Sequence, residues 1–80
     1  MIELIEYMAK ELVDLPEEVT VTEVQNNEEG IVMELRVASE DMGKVIGKNG
    51  RIAKALRSII NAVAKKDNLN IQLSIVDKNE

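Results

Sequence analysis

GKVIGKNGRIAK, residues 43–54, packs three glycines and four cations into twelve residues of a chain that is otherwise acidic. Glycine is the poorest ordinary residue for a helix interior, and cations are unfavourable at a helix start. Yet a helical pattern begins inside this stretch, at Arg51. Gly47 and Gly50 bracket Lys48 and Asn49 immediately before it. Helix starts expose unpaired N–H groups and a partial positive charge, which together attract anions. Two glycines remove the side chains that would hold a phosphodiester backbone at a distance. Lys48, Arg51 and Lys54 then oppose the helix dipole, at about 0.3–1 kcal/mol each unless an anion arrives. A plainer alternative makes Gly47 a helix cap, Gly50 a turn residue and the lysines solubilising groups. The clustering of charge favours a phosphate site.

Working outward, residues 2–13 place Ile5, Met8, Ala9 and Leu12 at helical spacing, with Glu3, Glu6 and Lys10 opposite. Pro16 forbids continuation and pushes Leu15 toward extended geometry. Val19 and Val21 alternate as a strand, and Val24 breaks the alternation as a β-bulge does. NNEEG is a turn, after which Ile31, Met33, Leu35 and Val37 alternate with Val32, Glu34 and Arg36. The two strands make a hairpin. Ser39 is a candidate helix cap, with Glu40 and Asp41 against the positive end of the dipole. Met42, Val45 and Ile46 form a short apolar face that Gly47 ends. A second helix over Arg51–Lys66 is expected to bury Ile52, Leu56, Ile59, Ile60 and Val63. After a turn at 67–70, Ile71, Leu73 and Ile75 alternate as a last strand. A parallel crossover through the helix pair predicts an α+β fold: one mixed three-stranded sheet with helices on one face. The expectation is a single domain over 1–80, with an ordered core over 1–76 and a frayed tail at 77–80.

Eighty residues bury only about 60–65% of their unfolded surface, so an oligomer is plausible on stability grounds alone. There is no cysteine and no histidine, which removes disulfides, thiolate metal sites and the commonest catalytic nucleophiles and bases. The carboxylates are scattered, so neither an enzyme nor a metal or cofactor site is expected. The N-terminus lacks the basic and apolar regions of a signal peptide, and no apolar run approaches the ~20 residues of a membrane span. A cytoplasmic protein is the expectation. The net charge of −5 hides a division. From Gly43 to Lys66 there are seven bases and no acid, while the rest of the chain carries fifteen acids against three bases. Screening confines a useful field to about 8–10 Å, so local sign outweighs the total.

Competing phosphate motifs fail. Three residues separate Gly43 from Gly47 and Asn49 follows Lys48, so G-x-x-x-x-G-K-[ST] is not met. No glycine stands two before Gly47, which excludes the dinucleotide fingerprint. A helix–GKNG–helix unit followed by a strand resembles the KH domain, whose G-x-x-G loop clamps the backbone of about four nucleotides. VIGKNGRIAKALR is similar to that family's V/I-I-G-x-x-G core, and a helix and two strands ahead of it resemble the type II arrangement. Over residues 1–76 the chain looks like the small bacterial single-KH proteins of the KhpA (YlqC) family.

That resemblance implies single-stranded RNA as partner, in a chaperone or post-transcriptional role tied to cell growth and envelope synthesis, while the acidic body predicts weak, salt-sensitive binding with little sequence preference. It also implies a homodimer, or a pairing with a larger KH-containing protein of the KhpB/Jag type. Gly47, Lys48, Asn49 and Gly50 would form the clamp, and Lys44 would extend the phosphate track. Val45, Ile46 and Ile52 would floor an aliphatic groove completed by a strand edge near Val37, with simple core packing as the alternative role for each. Arg57 and Lys65 read as solvated helix charges. With Tyr7 as its single aromatic residue, the chain cannot build a stacking platform, which leaves an aliphatic groove. Ile59, Ile60 and Val63 are the expected dimer surface. The alternative function is a protein-interaction adaptor on the same scaffold, which the negative charge favours and the intact GKNG opposes.

Overall fold

The computed structural model describes residues 2–79, with Lys48 described through its backbone only. The order is α1 (Ile2–Leu12), β1 (Thr20–Asn27), β2 (Gly30–Val37), α2 (Ser39–Ile46), α3 (Arg51–Lys66) and β3 (Ile71–Asp77). Short 3₁₀ turns at Pro16–Glu18 and Lys48–Gly50 complete the chain. Proline at the first position of the former supplies the fixed φ that starts such a turn.

The sheet runs β1-β2-β3, antiparallel between the first two strands and parallel between the last two. The register slips between Glu23 and Gln25, so the expected bulge falls at Val24 and turns that side chain outward. Alternation on β2 buries Met33, Leu35 and Val37, and Ile71 and Leu73 of β3 join them. Ile5 and Ala9 of α1, Val45 of α2, and Leu56, Ile60 and Ala64 of α3 close over this face. The opposite face pairs Thr20 with Arg36, Thr22 with Glu34, Glu34 with Ser74, Val32 with Gln72 and Arg36 with Val76, and Arg36 Nε donates to Glu34 Oε1 at 2.7 Å. That face is predominantly polar.

Three expectations about individual apolar residues are corrected. Leu12 is exposed and Val13, just past the helix, is buried in its place. On α3 the inward stripe is Ala53, Leu56, Ile60 and Ala64, so Ile59 lies outside the core. Conversely, Ile60 is only 1% exposed and offers nothing to a partner surface.

Ser39 does not cap α2. Ala38 occupies the cap position without a side-chain hydrogen bond, and the Ser39 hydroxyl donates instead to Asp77 Oδ1 at 2.6 Å. Asn79 Nδ2 in turn donates to Ser39 Oγ at 2.7 Å, and the Lys78 N–H donates to the Val37 carbonyl at 2.8 Å. The strand runs through Asp77, one residue past the expected ordered core. The Ser39 hydroxyl, helped by the Asn79 backbone N–H, holds the Asp77 carboxyl below its ordinary range. At the other end of the sheet, Asn70 pins the hairpin to the loop before β3. Its carbonyl accepts the Ile31 N–H at 2.7 Å and its amide donates to the Glu29 carbonyl at 2.9 Å.

Candidate nucleic-acid interface

Residues 47–50 join α2 to α3 in a tight turn closed by the Gly50 N–H donating to the Gly47 carbonyl at 2.8 Å. Gly47 caps the end of α2 as expected, in an extended conformation (φ −81°, ψ −174°). The demand for glycine there is steric: a Cβ would be driven into the Gly43 carbonyl oxygen that the Gly47 N–H bonds to. Asn49 (φ 68°) and Gly50 (φ 66°) are both left-handed, a conformation open to glycine and tolerated best by asparagine among the rest. Around Gly50 no heavy atom lies within 4 Å of where a Cβ would stand. The backbone is therefore bare on its outer side.

Gly50 is also the N-cap of α3 and has no side chain with which to cap it. No acid stands in the first turn, and Arg51 and Lys54 are both exposed there. The N-terminus of a sixteen-residue helix thus points its unpaired N–H groups at the loop with cations around them. The Lys48 side chain, expected to face phosphate, lies outside the described residues.

The apolar residues assigned to the groove separate. Val45 is 1% exposed and belongs to the core, whereas Ile52 is half-buried and Ile46 is 53% exposed beside the loop. Val37 cannot form a strand edge, because β2 lies between β1 and β3 and Val37 itself is fully buried. The sheet edges are β1 and β3, and it is β3 that lies beside α3. Between it and α3 lies a cleft of about 290 Å³ lined by Arg57, Ile60, Asn61, Ile71, Gln72 and Leu73. Arg57 is exposed as expected, and its Nη2 also lies 3.5 Å from the Leu73 carbonyl at the mouth of the cleft. The cleft begins about 10 Å along α3 from the loop, at 1.5 Å per residue.

Lys44 is exposed on α2, where its Nζ lies 3.1 Å from Asp14 Oδ1. Asp41 was legible only as an acid suited to a helix start. It is 1% exposed, and its two oxygens accept the backbone N–H groups of Asp14 and Leu15, each at 3.0 Å. This buried carboxylate bolts α2, and with it the loop, to the segment leaving α1. Asn61 and Gln72 likewise carried no signal, being polar residues on an amphipathic helix and an alternating strand. Among the described residues no group of three or more acids is arranged to hold a metal ion, and no helix is long and apolar enough to cross a membrane.

Comparison with known proteins agrees with this geometry. The family model for the KhpA/KhpB KH domain matches residues 2–75. RNA-binding protein KhpA of Clostridium acetobutylicum is 55% identical over 76 residues, covering 95% of this chain and 100% of that protein. RNA-binding protein KhpA of Treponema pallidum is 54% identical over 76 residues, covering 94% of this chain and 92% of its own length. No solved structure gives a significant match. With the helix–strand–strand–helix–helix–strand order in place and the family model spanning nearly all of it, the chain belongs to the KhpA/KhpB family of KH domains.

Proposed function

We propose that this protein binds single-stranded RNA, with the backbone held at Gly47–Gly50 and the bases laid toward the cleft between α3 and β3. One observation carries the reading. A bare, left-handed Asn49–Gly50 turn opens directly onto an uncapped helix start with cations and no acid in its first turn. Phosphate supplies the charge and the acceptors that this helix end lacks. Lys44, Lys48, Arg51 and Lys54 provide the surrounding cations, and Ile46 and Ile52 the apolar floor, with Val45 packed beneath it. Arg57, Asn61 and Gln72 bring hydrogen-bonding groups to a cleft whose floor is Ile60, Ile71 and Leu73. Relatives of nearly the same length are named RNA-binding proteins, and theirs is not an enzyme family.

The role that fits is that of a chaperone or post-transcriptional regulator, since the site contacts RNA without chemistry to perform on it. A single small site binds weakly, and pairing two such sites raises the effective affinity. Ile59 at 41% exposed and the half-buried Val63 leave an apolar strip on α3 for a second copy or a larger KH-containing partner. Sedimentation as a monomer at high micromolar concentration would remove the homodimer.

The test of RNA binding is fluorescence anisotropy with a labelled single-stranded RNA pool at low and moderate salt. Wild type is compared with Lys48→Asp/Asn49→Asp after circular dichroism shows both folded. Binding by wild type and none by the double variant is the expected result. Equal binding by both, or none by either, overturns the clamp and leaves the adaptor role.

A further inference from the structure

Lys44 stands apart from the other cations of the basic stretch. Among the described side chains of residues 43–66, it alone is ion-paired, and its partner comes from the acidic half of the chain. The pair is not required by packing, because the Asp14 side chain is 77% exposed and that of Lys44 45%. What is rigid is the mount beneath it. Asp41, almost fully buried, holds the Asp14 N–H with Oδ1 and the Leu15 N–H with Oδ2. Pro16 then fixes the chain direction immediately after. The backbone that carries the Asp14 carboxylate is thus anchored to the first turn of α2, one turn below Lys44. Lys44 stands in the last turn of α2, three residues before Gly47, where the loop opens. The lysine therefore has two possible anions within its reach: the fixed carboxylate and a phosphate held at the loop.

We infer that Asp14 is a built-in competitor for RNA phosphate at Lys44, and that Asp41 is the positioning residue that keeps it there. This rests on the RNA reading and adds to it a residue that sets affinity from outside the loop. In the free protein Lys44 is paired with Asp14, and a phosphate approaching Gly47 competes with that carboxylate for the lysine. Binding is kept weaker than the count of basic residues implies. The acidic segment also charges the rim of the site, so only a ligand that can exchange with it, a polyanion, benefits from entering.

The experiment is anisotropy with a labelled single-stranded RNA pool at low salt, using the full chain. Asp14→Asn and Asp14→Ala are compared with wild type, with Lys44→Gln and with Asp14→Asn/Lys44→Gln. Glu17→Gln removes the same unit of charge from an exposed acid on the neighbouring turn. Exposed ion pairs hold their partners weakly, so both Asp14 variants are expected to bind about two- to fivefold tighter than wild type. Glu17→Gln is expected to gain less, and Lys44→Gln to abolish the gain. Circular dichroism guards against a fold change, which the exposure of Asp14 makes an easy condition to meet. A gain that survives Lys44→Gln, or one matched by Glu17→Gln, overturns the competitor role and leaves only through-space charge. Absence of binding by wild type and every variant overturns the RNA reading itself, and the competitor with it.

Discussion

Replacing Asp41 separates the count of hydrogen bonds from the burial of charge. Its carboxylate is 1% exposed and accepts two backbone N–H groups, from Asp14 and Leu15, each at 3.0 Å. A hydrogen bond to a charged group is worth about 1.5–3 kcal/mol, so Asp41→Ala forfeits about 3–6 kcal/mol gross. Asp14 is exposed and Leu15 half-buried, so water recovers part of that and the net loss is about 2–4 kcal/mol. Against the roughly 4–12 kcal/mol expected for a chain of 80 residues, this is a large fraction. The melting temperature falls by about 10–25 °C. Asp41→Asn keeps one acceptor oxygen and removes the buried charge, and the expected cost is about 1–2 kcal/mol. Urea unfolding at neutral pH, with unchanged m-values, measures both. A loss below 1 kcal/mol for alanine, or equal losses for asparagine and alanine, would refute the acceptor-counting argument. Amide exchange adds a local readout: loosening of α2 should accelerate exchange at Gly47 and Gly50 before it reaches the β2 core.

The two loop glycines should fail differently. Gly47→Ala forces a Cβ into the Gly43 carbonyl and costs about 1–3 kcal/mol in urea unfolding. Gly50→Ala meets no atom, so it costs only the left-handed strain of about 1–2 kcal/mol, yet it fills the bare side of the loop and should abolish RNA binding in a protein that still folds. Ser39→Ala removes the larger cause of the lowered Asp77 pKa. A carboxyl whose folded pKa is depressed contributes stability above its unfolded value near 3.9, and loses it as pH falls through the folded value. The variant should therefore be less stable than wild type at pH 7, with the difference shrinking below about pH 4; a difference that is constant with pH would remove the Ser39–Asp77 linkage. Engagement of three phosphates by Lys48, Arg51 and Lys54 predicts a slope of about −2 in log K against log salt, or a roughly 20-fold loss between 50 and 200 mM. A flat salt dependence would exclude phosphate as the ligand.

The element order was readable because each signal was local. Alternation on residues 31–37, the Pro16 break and the 3.6-residue stripe after Gly50 depend on nothing distant, and α3 spans the expected Arg51–Lys66. The strand bulge was visible at Val24 for the same reason. What escaped the sequence was pairing across the chain. Ser39 has the right chemistry for a cap, but a carboxylate 38 residues away competes for its hydroxyl. Asp41 has the composition of any first-turn acid, and only the arrival of Asp14 and Leu15 from another element buries it. Ile59 and Ile60 are adjacent, and a periodicity of 3.6 leaves their inward or outward sense to the precise pitch of packing. The strand edge near Val37 is a different matter. A strand that is both the second half of a hairpin and the parallel partner of the last strand must be central, so the topology already excluded it.

The acidic body and the basic loop are parts of one design rather than a conflict. Phosphate contacts supply affinity without sequence information, and an unopposed basic domain would hold any nucleic acid it met. Here seven of the ten cations lie between Gly43 and Lys66, a stretch without an acid, while fifteen acids against three bases occupy the rest. Over a Debye length of about 8 Å the loop feels mainly its own cations, whereas an approaching strand feels the net negative body at its flanks. On the proposed reading, a polyanion is admitted along the line from the loop to the α3–β3 cleft and repelled elsewhere. The ion pair between Asp14 and Lys44 brings that repulsion to the edge of the site itself, at 3.1 Å from a cation that would otherwise add to the track. On the RNA-binding reading proposed above, this distribution of charge favours weak, salt-sensitive binding.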